Sequence, residues 1–443
     1  MSGGQGSDSR TVGFATLGCR LNQVESQEMR ALVEQAGYRA VEQGEAAHIY
    51  VVNTCTVTSR ADFSDRQAIR RITRANPDAL VVVTGCLAQT DPEALARMPG
   101  VDLVLGNREK YRLPELFGSL VKRERPEVRV GPIADAREVP SASVGRMGGQ
   151  SRAFVKIQDG CQHRCAFCIV PAARGKSRSQ GPKVLVEQVE ALVEAGYGEI
   201  TLTGVDIGHY GWDLLPRTSL AALVARLAQV GGLRWLRLSS VLPAYFTPEL
   251  IQAVTTVPVV VPHLHLPLQS GSDRVLRRMR RPYNAAMYRA LVERLAAAIP
   301  GLGLGADVIV GHPGEEEADF EATMALVGEL PFSYLHVFTY SDRKGTEAAQ
   351  MGDRVATSAI RERSSRLRAL GVEKSVAFRR RLLGCTVEVL VLEEQRVDGG
   401  LTGLTSNYVE VSFAGPEGLG RRFVTVRLTE TDRRGARGVL EAA

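Results

Sequence analysis

The chain has 443 residues, 44% of them hydrophobic and 23% charged, which excludes a disordered or fibrous protein. Its 55 basic residues against 49 acidic ones leave a formal net charge of +6 and a pI near 9.0, a modest excess that favours an anionic partner. No apolar run approaches the roughly 20 residues of a membrane span, the polar start "MSGGQGSDSR" resembles neither a signal nor a transit peptide, and seven cysteines then point to metal or redox chemistry in a cytoplasmic, multidomain protein.

In chain order, three strand-like runs each end in a cysteine: "VGFATLGC" at Cys19, "HIYVVNTC" at Cys55 and "LVVVTGC" at Cys86. Helical stretches, "QVESQEMRALVEQAG" and "SDRQAIRRITRAN", lie between them, so residues 10–120 are expected to form a doubly wound parallel α/β domain. Ligands sit outside the carboxyl ends of such strands, which brings the three thiols to one edge. Residues 121–150 lose periodicity and gain proline, glycine and charge, as a linker does. A second alternation fills residues 151–375, with strands expected in "AFVKIQDG", "EITLTGVD", "WLRLSS", "HLHLPLQS", "GADVIVGHP" and "YLHVFTYS". Six such units make a partial (β/α)6 barrel with its active site at the strand C-termini. A long basic helix over 353–382 leads into residues 376–443, where short strands and glycine-rich turns predict a small β-barrel.

The stretch "DGCQHRCAFCIVPAARGKSRS" carries the most specific signal, because Cys161, Cys165 and Cys168 are spaced C-x3-C-x2-C. Three thiolates on one short loop can hold a [4Fe–4S] cube and leave one iron open. A structural zinc site needs four protein ligands, which His163 could complete, and a non-catalytic zinc- and RNA-binding protein is the competing reading. Cys385, at the start of a strand, is expected to be a buried core residue.

With Phe167 as its aromatic residue, the loop resembles the signature of radical S-adenosylmethionine (SAM) enzymes, in which the open iron binds SAM and yields a 5′-deoxyadenosyl radical. Cys19, Cys55 and Cys86 extend the resemblance to methylthiotransferases, whose N-terminal domain holds an auxiliary cluster on three cysteines. "TLGCRLNQVES", "KIQDGC", "ARGKSRS", "LTGVDIGHYG", "DVIVGHPGE" and "LHVFTYSDRKGTEAAQM" resemble the branch acting on threonylcarbamoyladenosine next to a tRNA anticodon. Other branches act on isopentenyladenosine in tRNA or on ribosomal protein S12. His312 stands where this resemblance expects Phe, and Asp206 where it expects Asn.

The resemblance implies two [4Fe–4S] clusters, SAM, a tRNA substrate, a reducing electron donor, a sulfur source and a C-terminal barrel like the TRAM RNA-binding module. Phe167 in the cluster loop and Thr203, Gly204, Ser239, Gln269 and Asp307 at barrel strand ends are the expected SAM contacts. Arg174, Arg178, His209 and Arg280 are the expected RNA contacts; His209 lies in "IGHYGW" with Tyr210 and Trp212, a candidate base-stacking platform. "RRMRRPYN" and the basic helix, with Arg361, Arg363, Arg366 and Arg368, add cationic surface. His263 and His265, two apart on one strand, are expected to line the barrel.

Overall fold

The structure is a computed structural model that describes residues 10–42, 44–122, 124–140, 148–393 and 400–441. The N-terminal sheet has six parallel strands, β1 (Thr11–Thr16), β2 (Arg39–Val41), β3 (Ile49–Thr54), β4 (Leu80–Gly85), β5 (Leu103–Leu105) and β6 (Glu127–Arg129), in the order β2-β1-β3-β4-β5-β6. β3 and β4 read as near-continuous apolar runs because both faces are covered. Val51 packs with Val12, Met29 and Phe117 on one face, while Val52, the next residue, packs with Ile69, Val81 and Leu95 on the other. Helix α1 (Arg20–Gln35) supplies Met29 to the first core and α2 (Ser59–Ala75) supplies Ile69 to the second, so the domain is doubly wound.

β6 corrects the expected linker: Leu103 pairs with Glu127 and Leu105 with Arg129, making residues 127–129 the edge strand of this sheet. Three largely solvated residues carry no readable alternation. Residues 123 and 141–147 of that segment lie outside the described residues.

The central domain is an open arc of six parallel strands: β7 (Ala153–Lys156), β10 (Glu199–Thr203) and β11 (Trp235–Leu238) form one sheet, and β12 (His263–His265), β13 (Gly303–Val310) and β14 (Tyr334–Thr339) the other. A parallel bridge between Leu236 and Val260 joins the two halves. β8 (Gln158–Asp159) and β9 (Arg178–Ser179) form a short antiparallel pair beside the mouth. One large apolar core, from Val155 and Leu202 to Val308 and Leu326, fills the arc.

The helix Thr357–Arg380 continues from the arc into the C-terminal domain, with Leu367 in the central core and Phe378 in the next. It is less of a cationic surface than its sequence suggests, because Arg363 is buried against Glu315 and Glu317 and Arg366 pairs with Glu317 and Glu321. The last domain is a closed barrel of β15 (Thr386–Val391), β16 (Leu401–Thr405), β17 (Glu410–Phe413), β18 (Phe423–Thr431) and β19 (Ala436–Leu440). Cys385 corrects another expectation: it is exposed, standing just before β15 rather than in the barrel core.

Candidate functional site

Cys161, Cys165 and Cys168 follow β8 on a loop that its own backbone holds open. Gly160 has φ 76° and passes so close to Lys176 that a Cβ would lie 2.1 Å from its carbonyl oxygen, so only glycine fits. Gln158 Nε2 donates to the carbonyls of Asp159 and Gly160 and to Ser177 Oγ, and Cys161 N donates to Gly175 O at 3.0 Å. The three cysteines line one cavity of about 630 Å³ together with His163, Lys176, Arg280 and Glu347. Burial pushes the Cys161 thiol up to about 12 and Cys168 up to about 11, and in each case neighbouring thiols add to the rise. Such groups become thiolates when a bound cation compensates the charge.

Sequence reasoning singled out His163, Asp206 and the run that holds Arg281, but not Tyr245 or the shell these residues form around the loop. Arg281 Nη1 lies 3.1 Å from Cys165 Sγ. Asp206 Oδ2 lies 3.9 Å from Cys161 Sγ and accepts from Tyr245 OH at 3.2 Å, while His163 Nε2 pairs with Tyr245 OH at 2.7 Å. Thiolates of a tetrahedral zinc site would sit about 3.8 Å apart. The cavity that the three cysteines of the loop line, about 630 Å³, has room for a group larger than a single ion.

The second triad forms at the strand ends of the N-terminal sheet. Cys19 precedes α1, Cys55 follows β3 and Cys86 opens the short helix α3 (Cys86–Thr90). A Cβ on Gly18, whose φ is 95°, would lie 2.7 Å from Cys55 Sγ, which brings the Cys19 turn against Cys55. Asn22 Nδ2 ties the two turns by donating to Leu17 O at 2.8 Å and Thr54 O at 2.9 Å. Burial raises the Cys55 thiol to about 12, and Cys86 and Cys19 raise it further. Burial also raises Cys86, with Arg174 opposing. Asp65 Oδ2 accepts from Cys55 N at 2.6 Å, and burial lifts that carboxyl to about 7.

Arg174 and Arg178, expected at an RNA surface, are buried in the junction between the two triads. Arg174 donates to Glu25 at 2.8 and 3.0 Å, to Asn22 Oδ1 at 2.8 Å and to Asp159 Oδ1 at 3.0 Å. Arg178 Nη2 reaches Asp159 Oδ2 at 3.2 Å, and its other nitrogens donate to the carbonyls of Glu138, Arg174 and Lys176. Lys110 joins Glu25 at 2.7 Å, and Lys156 on β7 joins Glu28 at 2.6 Å. Paired guanidiniums with no exposed face cannot meet a phosphate; the acidic face of α1 holds Arg174, and Asp159 with three backbone carbonyls holds Arg178. Arg280 remains at the surface of the large cavity, paired with Glu347 at 2.7 Å. His209 stacks on the half-exposed Trp212 at 4.8 Å, whereas Tyr210 is buried and donates to Gln180 O.

Of the expected SAM contacts, Phe167, Gln269 and Asp307 meet around a second cavity of about 190 Å³, closed from the N-terminal side by Val57 and Thr58. Thr203 and Gly204 end β10 under the cluster loop, where a Gly204 Cβ would lie 2.7 Å from Gln158 O. Gln269 Oε1 and Ser239 Oγ are buried without a hydrogen-bond partner, polar atoms of the kind a polar ligand satisfies. His312, fully buried, packs edge-on to Phe167 and donates from Nδ1 to Pro313 O at 3.1 Å, leaving Nε2 unpartnered.

Residues 11–106 match the uncharacterized protein family UPF0004, and residues 155–327 match the Radical SAM superfamily. The threonylcarbamoyladenosine tRNA methylthiotransferase MtaB of Bacillus subtilis is 39% identical over 422 residues, covering 94% of this chain and 93% of that protein. The tRNA-2-methylthio-N(6)-dimethylallyladenosine synthase of Moorella thermoacetica is 37% identical over 431 residues, covering 95% of this chain and 96% of its own. Among solved structures, the radical SAM methyltransferase TsrM of Kitasatospora setae shares the fold, with a TM-score of 0.56, 17% identity and 77% of each chain covered. With both domain matches and full-length relatives at this identity, the chain belongs to the radical SAM methylthiotransferase family.

Proposed function

We propose that the chain methylthiolates C2 of N6-threonylcarbamoyladenosine in tRNA, with one [4Fe–4S] cluster on Cys161, Cys165 and Cys168 and a second on Cys19, Cys55 and Cys86. One observation supports this reading: Phe167, beside Cys168, and Val57, two residues after Cys55, line the same cavity, so the segments that carry the two cysteine sets meet at one space between two domains. Bound there, the clusters and SAM would supply the electron, the 5′-deoxyadenosyl radical and the sulfur that an unactivated adenine C2–H requires.

The chain's own residues bind and orient. Phe167, Gln269 and Asp307 border the space for SAM, and Ser239, Thr203 and Gly204 close the strand ends behind it. Arg281 sets a positive charge against Cys165, and Asp206 with Tyr245 and His163 braces Cys161 from the other side. His209 with Trp212, and Arg280, offer an aromatic and a cationic surface to RNA beside the cluster cavity. Two of the relatives are named for threonylcarbamoyladenosine tRNA. A reducing donor and a sulfur source complete the reaction, in the cytoplasm where tRNA is modified; among the described residues no helix is long and apolar enough to cross a membrane.

The test is nucleoside mass spectrometry of tRNA from a deletion strain complemented with this chain, beside iron analysis of the reconstituted protein. Restored 2-methylthio-N6-threonylcarbamoyladenosine is expected, with about eight irons per chain falling to about four when Cys19, Cys55 and Cys86 become alanine. Restoration of the methylthiolated isopentenyladenosine instead would reassign the substrate, methylthiolated ribosomal protein S12 would replace RNA as the target, and about four irons in the wild type would remove the second cluster.

A further inference from the structure

β12, β13 and β14 place three metal-type donors side by side, apart from both cysteine triads. His265 pairs in register with Gly305, and His336 with Asp307, so the three residues stand on neighbouring parallel strands. One nitrogen from each histidine and one Asp307 oxygen all lie within 4.8 Å of one another. His265 Nε2 is 3.1 Å from Asp307 Oδ1, and His336 Nδ1 is 3.2 Å from the same oxygen. Three donors each about 2.1 Å from one cation are about 3.0–3.5 Å apart, so two of the three separations already fit. The third closes by rotation of His336, whose side chain is 52% exposed, and the imidazoles stand at 77° to each other.

Two further features separate this arrangement from an ordinary hydrogen-bonded trio. His265 Nε2 is buried and stands 3.1 Å from Asp307 Oδ1 without the alignment of a good hydrogen bond, which leaves it free to turn toward a shared cation. Its other nitrogen, Nδ1, lies 3.3 Å from Ser240 Oγ, the kind of outer contact that fixes the ring of a metal-bound histidine. Asp307 also lines the cavity shared by Phe167 and Val57, so coordination positions not taken by protein would face that space.

We propose that His265, Asp307 and His336 form a two-histidine, one-carboxylate site for a single divalent first-row cation. Two imidazoles and a carboxylate suit Mn(II), Fe(II) or Co(II), and with three ligands from protein the ion keeps positions open for an oxygen donor. The site needs neither the tRNA nor the substrate assignment.

The experiment is a Mn(II) titration of the cluster-reconstituted protein, first stripped of loosely held metal on a chelating resin, following the free-ion EPR signal without tRNA. The expected result is one Mn(II) per chain at micromolar affinity, weakened at least tenfold in His336→Ala and partly restored in His336→Asp. His336 is surface-accessible, and unchanged cluster iron and sulfide in the variants shows that they fold. Equal titrations for wild type and His336→Ala, or no binding below millimolar Mn(II), overturn the proposal.

Discussion

Replacing Arg174 with methionine separates two roles for one residue. In the structure its guanidinium makes four hydrogen bonds at 2.8–3.0 Å to Glu25, Asn22 and Asp159, and it has no exposed face. Removing one partner from a buried ionic set costs about 3–5 kcal/mol. Glu25 keeps Lys110 and Asp159 keeps Arg178, which puts the cost near the lower end, about 3 kcal/mol. With a urea slope of about 3 kcal/mol per M, the midpoint should fall by about 1 M. A surface arginine that contacts phosphate behaves differently: its loss leaves stability nearly unchanged and lowers the slope of log K against log salt by about one. Urea denaturation and tRNA binding at several salt concentrations read both quantities. A fall in midpoint with an unchanged salt slope is expected; an unchanged midpoint with a slope reduced by about one would refute the buried-lock argument.

His312 is kept neutral by burial, its pKa lowered to about 4 from an ordinary 6.5. The unfolded chain takes up the proton as pH falls through 6.5 while the folded chain resists until about 4, so stability is lost across that window, by about 2 kcal/mol at pH 5. His312→Phe should remove this acid-dependent loss, seen as converging wild-type and variant urea midpoints at pH 7.5 and diverging ones at pH 5; parallel behaviour at both would sink the assignment. Gly18→Ala should cost the auxiliary iron, about four atoms per chain, because its Cβ would lie 2.7 Å from Cys55 Sγ. Iron and sulfide analysis checks it, and full iron content contradicts the close approach. Trp212→Ala should weaken tRNA binding by about 1–3 kcal/mol while leaving SAM cleavage without tRNA intact, and equal affinity by filter binding would show that no base stacks there.

What the sequence disclosed follows from the range over which each signal acts. The cysteine loop is legible because its spacing is local, and β3, β4 and β13 are legible because long β-branched runs announce buried parallel strands. β2, β5 and β6 are three residues each, too short to display a period, and so β6 disappeared into an expected linker. Charge is visible in sequence but its partner is not: "ARGKSRS" looks like a surface for phosphate until Glu25 folds against Arg174. The same holds for His265, whose nearest titratable neighbours come from β13 and β14 rather than from His263 on its own strand. His263 instead stacks on Tyr408 at 4.4 Å, a contact from the C-terminal barrel that no local pattern encodes.

The buried ionic junction also has a physical rationale that its stability alone does not supply. An ion pair in a dry interface is often no more stabilising than apolar packing, but it is far less tolerant of misalignment, because a displaced partner leaves an uncompensated charge. Glu25 and Asn22 lie on the first turns of α1, immediately after Cys19, and Arg174 lies six residues after Cys168. Locking those two short segments together therefore fixes one cysteine set against the other more tightly than a greasy interface would. Chemistry that must hand a sulfur and a hydrogen atom across one small space tolerates errors of about an ångström poorly. Arg343 on the loop after β14 repeats the device, pairing with Asp62 and donating to Thr56 Oγ1 at 2.9 Å, one residue beyond Cys55. Two of the three turns that carry N-terminal cysteines, those of Cys19 and Cys55, are thus pinned by arginines from the radical SAM domain, and the separation of the two triads becomes a property of the fold.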